Sequence, residues 1–565
     1  MNKTSKLFLA AMLLGGTAFA QNDADTKTKE KVPNDWYQLD AAATGYNGIS
    51  LDKAYSLIKS KNLKSSRIVV AVIDSGIDTL HEDLKPILWT NPKEIPGNGI
   101  DDDHNGYIDD VHGWNFIGGK DGRNVKEDSY EASRVYWKLK SKWDGKTIDE
   151  TTLSKADKDE YAIFKKAQQK VIGDDKAAGP QLAMLKNLQG NLNKSDSLLR
   201  IAIGKAEFTG NMLDTFKPQN SDDTKAKASL LRLMKGNDAM DQTNKAFLEE
   251  LNGYVAGEEK KEEAKKNPPL TYRKDVVGDD ETNFNDRNYG NNDIMASTPF
   301  HGTHCSGIIA AARNNDKGMN GIADNVRIMM IRAVPDGDEH DKDIANAIRY
   351  AVDNGARIIS MSFGKDFSPE KQWVDDAFRY ADSKGVLLVH AAGNDAKNVD
   401  TADNFPNPIY IDGKGRANNV ITVGASGNMK NGGLTASFSN YGKAEVDVFA
   451  PGVGIYSTIP GGNTYGNASG TSMACPVVAG IAALVLEHYP TLTPQQLKMV
   501  IEKSATAPAE KVNIPGTEDK VYLNEISKTG GIVNAYEAVK LAGTIKTEKP
   551  KTVLPKSKVK KTKMG

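Results

Sequence analysis

Five stretches of this chain are unbroken apolar runs that end in a turn. They are RIVVAVIDSG (67–76), VRIMMIRAV (326–334), RIISMSF (357–363), VLLVHAAGN (386–394) and NVITVGAS (419–426). A strand with one wet face alternates apolar and polar residues. A strand that is apolar at every position suits a parallel sheet covered by helices on both faces. Segments between these runs, such as DKDIANAIRYAVDNG and PEKQWVDDAFRYADSKG, have helical periodicity. The alternation predicts an α/β fold, a doubly wound parallel sheet flanked by helices. In such sheets the site lies beyond the carboxyl ends of the strands, where Asp74, Ser362 and Asn394 stand.

Residues 120–290 break the pattern. They are rich in Lys, Asp and Glu, and their apolar residues recur at helical spacing. Leu182, Leu185, Leu188 and Leu192 share one face, as do Phe247, Leu251 and Tyr254. This segment reads as a mostly helical insertion between two parts of the sheet domain, 36–119 and 291–545. Its plain role is a surface subdomain; sharper ones are a lid or an internal inhibitor over a cleft, or a docking module. Residues 21–35 form a polar N-terminal segment, and 546–565 a basic tail without a core of its own.

The first 20 residues, MNKTSKLFLAAMLLGGTAFA, have two early lysines, an apolar run and a small-residue end. That is the pattern of a secretory signal peptide, cut before Gln21. The run is too short to span a bilayer, and no other segment reads as a membrane span. The expected location is outside the cytoplasm: secreted, periplasmic or outer-surface. Two cysteines, Cys305 and Cys475, exclude a disulfide framework and allow at most one bridge. A net charge of -1 offers no general attraction for nucleic acid.

TPFHGTHCSG (298–307) holds two histidines and a cysteine. A zinc site needs three or four ligands, and His301, His304 and Cys305 are only three local candidates. The other reading needs a nucleophile, a base and an orienting carboxylate. Ser472 follows a Gly-Thr turn and opens a long apolar helix in GNASGTSMACPVVAGIAALVLEHYP (466–490), where the helix N-terminus favours developing negative charge. Asp74 ends a buried strand, where a lone carboxylate is costly without a donor such as a histidine. Each motif alone has an ordinary reading as a turn; the three together are far more specific.

VIDSGID, HGTHCSG, AAGN and GTSMACP together resemble the signature segments of the subtilisin-like serine proteases, the subtilases. The resemblance covers roughly 36–118 and 292–543, and the chain order Asp, His, Ser is that family's. It implies a serine endopeptidase in which His301 is the base, Asp74 orients it and Ser472 attacks the scissile carbonyl. It also implies that Asn394 donates to the oxyanion, and that Ser362, Phe363 and Gly364 line a cleft where substrate adds as a β-strand. His304 is left as a packing residue. The substrates implied are proteins or peptides, with no nucleic acid partner, no organic cofactor and action as a monomer. One departure is the spacing: 227 residues separate Asp74 from His301, where typical family members need a few dozen. A narrow processing protease that docks its partner on the insertion, a non-catalytic binding scaffold and a zinc hydrolase are the competing readings.

Calcium is the expected metal. GNGIDDDHNGYIDDVHGWNF (97–116) offers Asp101, Asp103, Asn105, a carbonyl at Tyr107, and Asp109 or Asp110, alternating oxygen ligands around a glycine turn. It is not an EF-hand, because His112 stands where that loop needs Glu. A solvated Asp/Asn turn is the alternative. A second set, Asp83 and Asn315, follows from the resemblance alone.

Overall fold

The computed structural model describes residues 32–173, 178–237, 239–240, 242–296, 299–429 and 433–546. The signal-like segment and nearly all of the basic tail lie outside the described residues. Helix α1 (Leu51–Ser60) precedes strand β1 (Ile68–Asp74), and β2 (Gly113–Asn115) follows after a long loop. The insertion supplies α2 (Glu131–Trp143), α3 (Lys155–Val171), α4 (Ala178–Ile203), α5 (Ser221–Gly236) and α6 (Asn244–Lys266), with shorter turns between them. Then come α7 (Phe300–Ala310), β3 (Val326–Arg332), α8 (Asp341–Asp353), β4 (Ile358–Met361), α9 (Lys371–Ser383), β5 (Leu387–Ala391), β6 (Val420–Ser426) and β7 (Val448–Pro451). A hairpin, β8 (Ile455–Ile459) and β9 (Thr464–Ala468), leads into α10 (Thr471–His488), and α11 (Pro494–Ser504) and α12 (Ala535–Ala542) finish the fold.

The seven strands β1 to β7 form one parallel sheet in the order β2-β3-β1-β4-β5-β6-β7. Successive side chains of a strand point to opposite faces, so each apolar run feeds two cores. Val70, Val72, Ile328 and Met330 join α1, α7, α10, α11 and α12 on one face. Ala71, Ile73, Met329 and Ile331 join α8 and α9 on the other. Strand order reverses around β1, whose neighbours are β3 and β4, and such a reversal opens a crevice at the carboxyl ends.

Helix α10 is the central helix of the first core. Val477, Val478, Ile481, Leu484 and Val485 are fully buried, each contributing about 1.5–3 kcal/mol. Among the described residues it is the one helix long and apolar enough to cross a membrane, and 89% of it is buried inside the protein.

The chain leaves and re-enters the sheet domain at one point. Asn115 and Asn291 exchange backbone hydrogen bonds of 2.9 and 3.0 Å. Between them, α4, α5 and α6 close a small core from Leu185, Leu192, Leu199, Leu230, Phe247 and Leu251. The leucine and aromatic faces read from sequence pack against each other here. A separate cluster joins α2 and α3 to Phe367 of the sheet domain through Val135, Tyr136 and Phe164.

Candidate active site

Asp74 is the last residue of β1 and is 2% exposed. His301 lies in the first turn of α7, and its Nδ1 is 2.9 Å from both carboxylate oxygens of Asp74. Their approach depends on the next residue. A Cβ on Gly302 would stand 2.2 Å from the Gly76 carbonyl oxygen and 3.0 Å from the Asp74 Cβ. Glycine therefore lets the helix start touch the strand end. Burial works against charging the ring, but the Asp74 carboxylate outweighs it and holds the His301 pKa well above the ordinary value of 6.5. The side chain is 36% exposed, so solvent screens part of that attraction.

Ser472 sits in the first turn of α10, and a proline fixes its surroundings. Pro476 lies four residues on, inside the helix, and has no N–H to give the Ser472 carbonyl. That carbonyl accepts instead from the Ser362 hydroxyl at 2.9 Å and the Cys305 thiol at 3.3 Å. Cys305 Sγ is also 4.0 Å from His301 Nδ1. One freed carbonyl thus gathers the strand end after β4, the histidine helix and the serine helix. The Ser472 hydroxyl donates to the Ser362 carbonyl at 3.1 Å.

Asn394, three residues past β5, is oriented by Thr471. Its Oδ1 accepts from the Thr471 backbone N–H at 2.6 Å and hydroxyl at 2.9 Å, which fixes which end of the amide faces the serine turn. Phe363 is partly buried and Gly364 exposed. His390 accompanies them, its Nε2 2.8 Å from the Phe363 carbonyl oxygen. Burial lowers its pKa to about 4, so it stands there as a neutral N–H donor. Thr471 and His390 were not singled out from sequence, because their roles depend on which loop faces them. Arg332, fully buried at the end of β3, also went unread; it donates to the Ser75 and Val125 carbonyls and to Asn115 Oδ1.

The two histidines of HGTH do not converge. His304 is fully buried, 3.2 Å from the Gly466 carbonyl oxygen, and burial lowers its pKa to about 4. The donors that do gather are Asp74, His301 and Cys305, so the cluster imagined for zinc is replaced by a histidine–carboxylate pair with a thiol beside it. Cys305 and Cys475 are both free and buried. Burial raises both thiol pKa values, that of Cys475 to about 12.

The insertion packs against the segment that follows Gly364. Lys365 is buried, with Nζ 2.8 Å from Glu131 on α2 and 2.9 Å from Asp341. Arg134 donates to the carbonyls of Asp338 and Glu339 at 3.1 and 3.2 Å. Lys170 and Lys166 of α3 pair with Asp366 and Asp403.

The expected metal ligands divide. Asp83 Oδ1 accepts from the Asn315 amide at 2.6 Å, and Oδ2 from the Tyr465 hydroxyl at 2.8 Å. Both oxygens are satisfied by protein donors, so this pair is a poor fit for a cation as arranged. In the loop before β2, Asp101 and Asp103 come together with Glu94, which sequence reading did not name. Asp109 turns away and caps a backbone turn, accepting from the amides of Gly97, Asn98 and Gly99 at 2.8, 3.2 and 2.8 Å. Asn105 Oδ1 accepts from the Tyr107 amide at 2.8 Å, and its Nδ2 donates to Asp110 at 3.0 Å.

Residues 65–521 match the model of the Subtilase family. The chain is similar to a thermophilic serine proteinase of Bacillus sp. (strain AK1), 40% identical over 240 residues, 42% of this chain and 52% of that protein. It is similar to thermitase of Thermoactinomyces vulgaris, 38% identical over 240 residues, 42% of this chain and 74% of the other. Subtilisin DY of Bacillus licheniformis is 40% identical over 209 residues, 36% of this chain and 70% of that protein. The chain thus spans from about half to about three quarters of the length of these relatives. A match that runs from the start of β1 past the helix bearing Ser472 leaves one assignment: the chain belongs to the subtilase family of serine endopeptidases.

Proposed function

We propose that this protein hydrolyses peptide bonds in exported space through an acyl-enzyme on Ser472. The observation that carries this is the Asp74–His301 contact of 2.9 Å on a helix tied by Cys305 to the backbone of Ser472. His301 takes the Ser472 hydroxyl proton at Nε2 as the oxygen attacks the scissile carbonyl. Asp74 orients the ring and stabilises its protonated form. The oxyanion is met by the Asn394 amide and the backbone N–H at the start of α10. His301 then gives its proton to the departing amine, and water repeats the sequence to release the acid. Ser362, Phe363 and Gly364 offer backbone to an extended substrate, and the protein acts as a monomer.

The test is intact mass after a fluorophosphonate probe, with casein cleavage alongside, for wild type and Ser472→Ala. One adduct on the wild type alone, with casein cut, is the expected result. No adduct on folded protein sinks the reading and leaves a binding scaffold.

A narrower reading, a processing protease with the insertion as docking module, is supported by one observation: α2 and α3 are anchored on Lys365, Asp366 and Phe367, directly beside the cleft segment. An adduct without casein cleavage favours it. Deletion of 125–285 that leaves peptide and protein cleavage unchanged removes it.

Structural calcium belongs to this reading. In the loop before β2 the buried Glu94 Oε2 has no protein donor, which supports a hard cation with oxygen ligands there, whereas both Asp83 oxygens already accept from protein groups. Export and signal-peptide removal belong to it too, supported by the N-terminal pattern.

A further inference from the structure

The crevice over Asp74 has two walls, and one buried lysine reaches from one to the other. Strand β1 is flanked by β3 and β4, so the chain after β3 and the chain after β4 stand on either side of its carboxyl end. The β4 wall is Ser362, Phe363 and Gly364; the next residue, Lys365, is 5% exposed. Its Nζ donates to the Glu339 carbonyl at 2.8 Å and lies 2.9 Å from Asp341, both on the β3 side. Its third partner is Glu131 of the insertion, at 2.8 Å. An ammonium has three donors, so all are used and the side chain is held across the gap. Helix α2 fastens the same place from outside. Arg134 donates to the Glu131 carboxylate at 2.6 Å and to the Asp338 and Glu339 carbonyls, and the Glu131 amide donates to Asp338 Oδ2 at 2.8 Å. Just before the helix, the Asp336 amide donates to the Lys126 carbonyl at 2.8 Å and its carbonyl accepts from Asp128 at 3.1 Å. On the β4 side, Phe367 is buried in the cluster of Tyr136 and Phe164.

We propose that Lys365, locked by Glu131 and Asp341, ends the cleft after Gly364, so that the protein selects substrates whose acyl half is about three residues long or turns outward at that point. This rests on the hydrolytic reading above and deepens it. In that reading His301 gives its proton to the departing amine, so the leaving half of the substrate lies on the histidine side. The acyl half lies on the other side, along Ser362, whose carbonyl is 3.1 Å from the Ser472 hydroxyl. A wall of three residues pairs with about three residues of extended chain, at roughly 3.3 Å each. A fourth meets the lysine bridge. Pushing that bridge aside would strip a buried cation from its carboxylates, which is strongly unfavourable. Glu131 belongs to the insertion, so the insertion acts on specificity from the end of the cleft rather than as a cover over Ser472.

The test is a series of peptide anilides with one leaving group and acyl halves of increasing length, cleaved by the full chain and by its Lys365→Ala and Lys365→Met variants. The quantity read is the ratio of kcat/KM between a substrate with a fourth, apolar acyl residue and the same substrate without it. In the wild type this ratio should stay below about threefold. Lys365→Ala removes the bulk that closes the cleft, and its ratio should exceed that value. Lys365→Met keeps the bulk without the charge and should behave as the wild type does. In both variants each carboxylate keeps another partner, Arg134 for Glu131 and the Ser368 hydroxyl for Asp341. A larger ratio in the wild type would overturn the proposal, and that measurement stands even where neither variant folds. So would a ratio in Lys365→Ala no greater than the wild type's, or a cleft opened by Lys365→Met as much as by Lys365→Ala. A fluorophosphonate adduct on Ser472, measured alongside, shows that the hydrolytic reading holds whichever way the lengths fall; its absence from folded protein would sink both.

Discussion

Asp74 and His301, 227 residues apart in sequence, meet with both carboxylate oxygens 2.9 Å from one ring nitrogen. The contact favours the tautomer protonated on Nδ1, which in the proposed mechanism leaves Nε2 free to take a proton. Asp74→Asn keeps the size but presents an amide that can stabilise the wrong tautomer. Its kcat should fall by about four orders of magnitude with little change in KM. Steady-state kinetics on a short chromogenic peptide checks this, and a loss under tenfold would remove Asp74 from the mechanism.

The same pair sets the pH profile. A base works deprotonated, and the Asp74 carboxylate holds His301 protonated to a pH well above 6.5. The kcat/KM of the free enzyme should therefore rise with pH beyond 6.5, and the inflection should move to lower pH in Asp74→Asn. A profile flat from pH 6 upward would contradict the assignment.

Gly302→Ala tests the close approach. The added methyl would meet the Gly76 carbonyl oxygen at 2.2 Å, which neither backbone can absorb without shifting α7. Stability should drop by about 1–3 kcal/mol, and activity should fall further than stability does, because His301 moves with the helix. Thermal melts and kinetics on the same sample separate the two effects.

The carbonyl freed by Pro476 leads to a pair of substitutions. Ser362→Ala removes its hydroxyl donor and should cost about 1 kcal/mol of stability. Pro476→Ala restores an N–H that can compete for the same carbonyl, loosening the tie to Ser362 and Cys305. Both should lower kcat. Unchanged turnover in both would mean the carbonyl does not position the nucleophile.

Buried neutral histidines predict the acid limit. His304 and His390 have pKa values lowered by burial to about 4, below the unfolded value near 6.5. The unfolded chain therefore binds these protons first, so their contribution is whole above pH 6.5 and lost as pH falls toward 4. Each accounts for roughly 3 kcal/mol across that window. Denaturant melts between pH 7 and 4.5 read the slope. His390→Gln, which retains a donor for Phe363, should flatten it.

Sequence determined what depends on nearest neighbours along the chain. A run apolar at every position cannot have a wet face, so VVAVID and IMMIR had to be strands covered on both sides. Turn residues then marked the strand ends, which places Asp74, Ser362 and Asn394 on one rim. The leucine spacing of 182–192 could serve only a helix packing against another helix. Tertiary structure decided what depends on partners far away. Asp109 and Glu94 are both carboxylates in one loop, and no local pattern says which will cap a turn and which will stay buried with an unmet oxygen. Whether Asp83 faces a cation or the Tyr465 hydroxyl depends on a hairpin 382 residues further on. The seat of the insertion on Lys365 was likewise invisible, because a lysine in a loop looks solvated until the chain brings Glu131 and Asp341 around it. Local periodicity is written in the order of residues; the satisfaction of buried polar groups is a property of the closed three-dimensional surface that surrounds them.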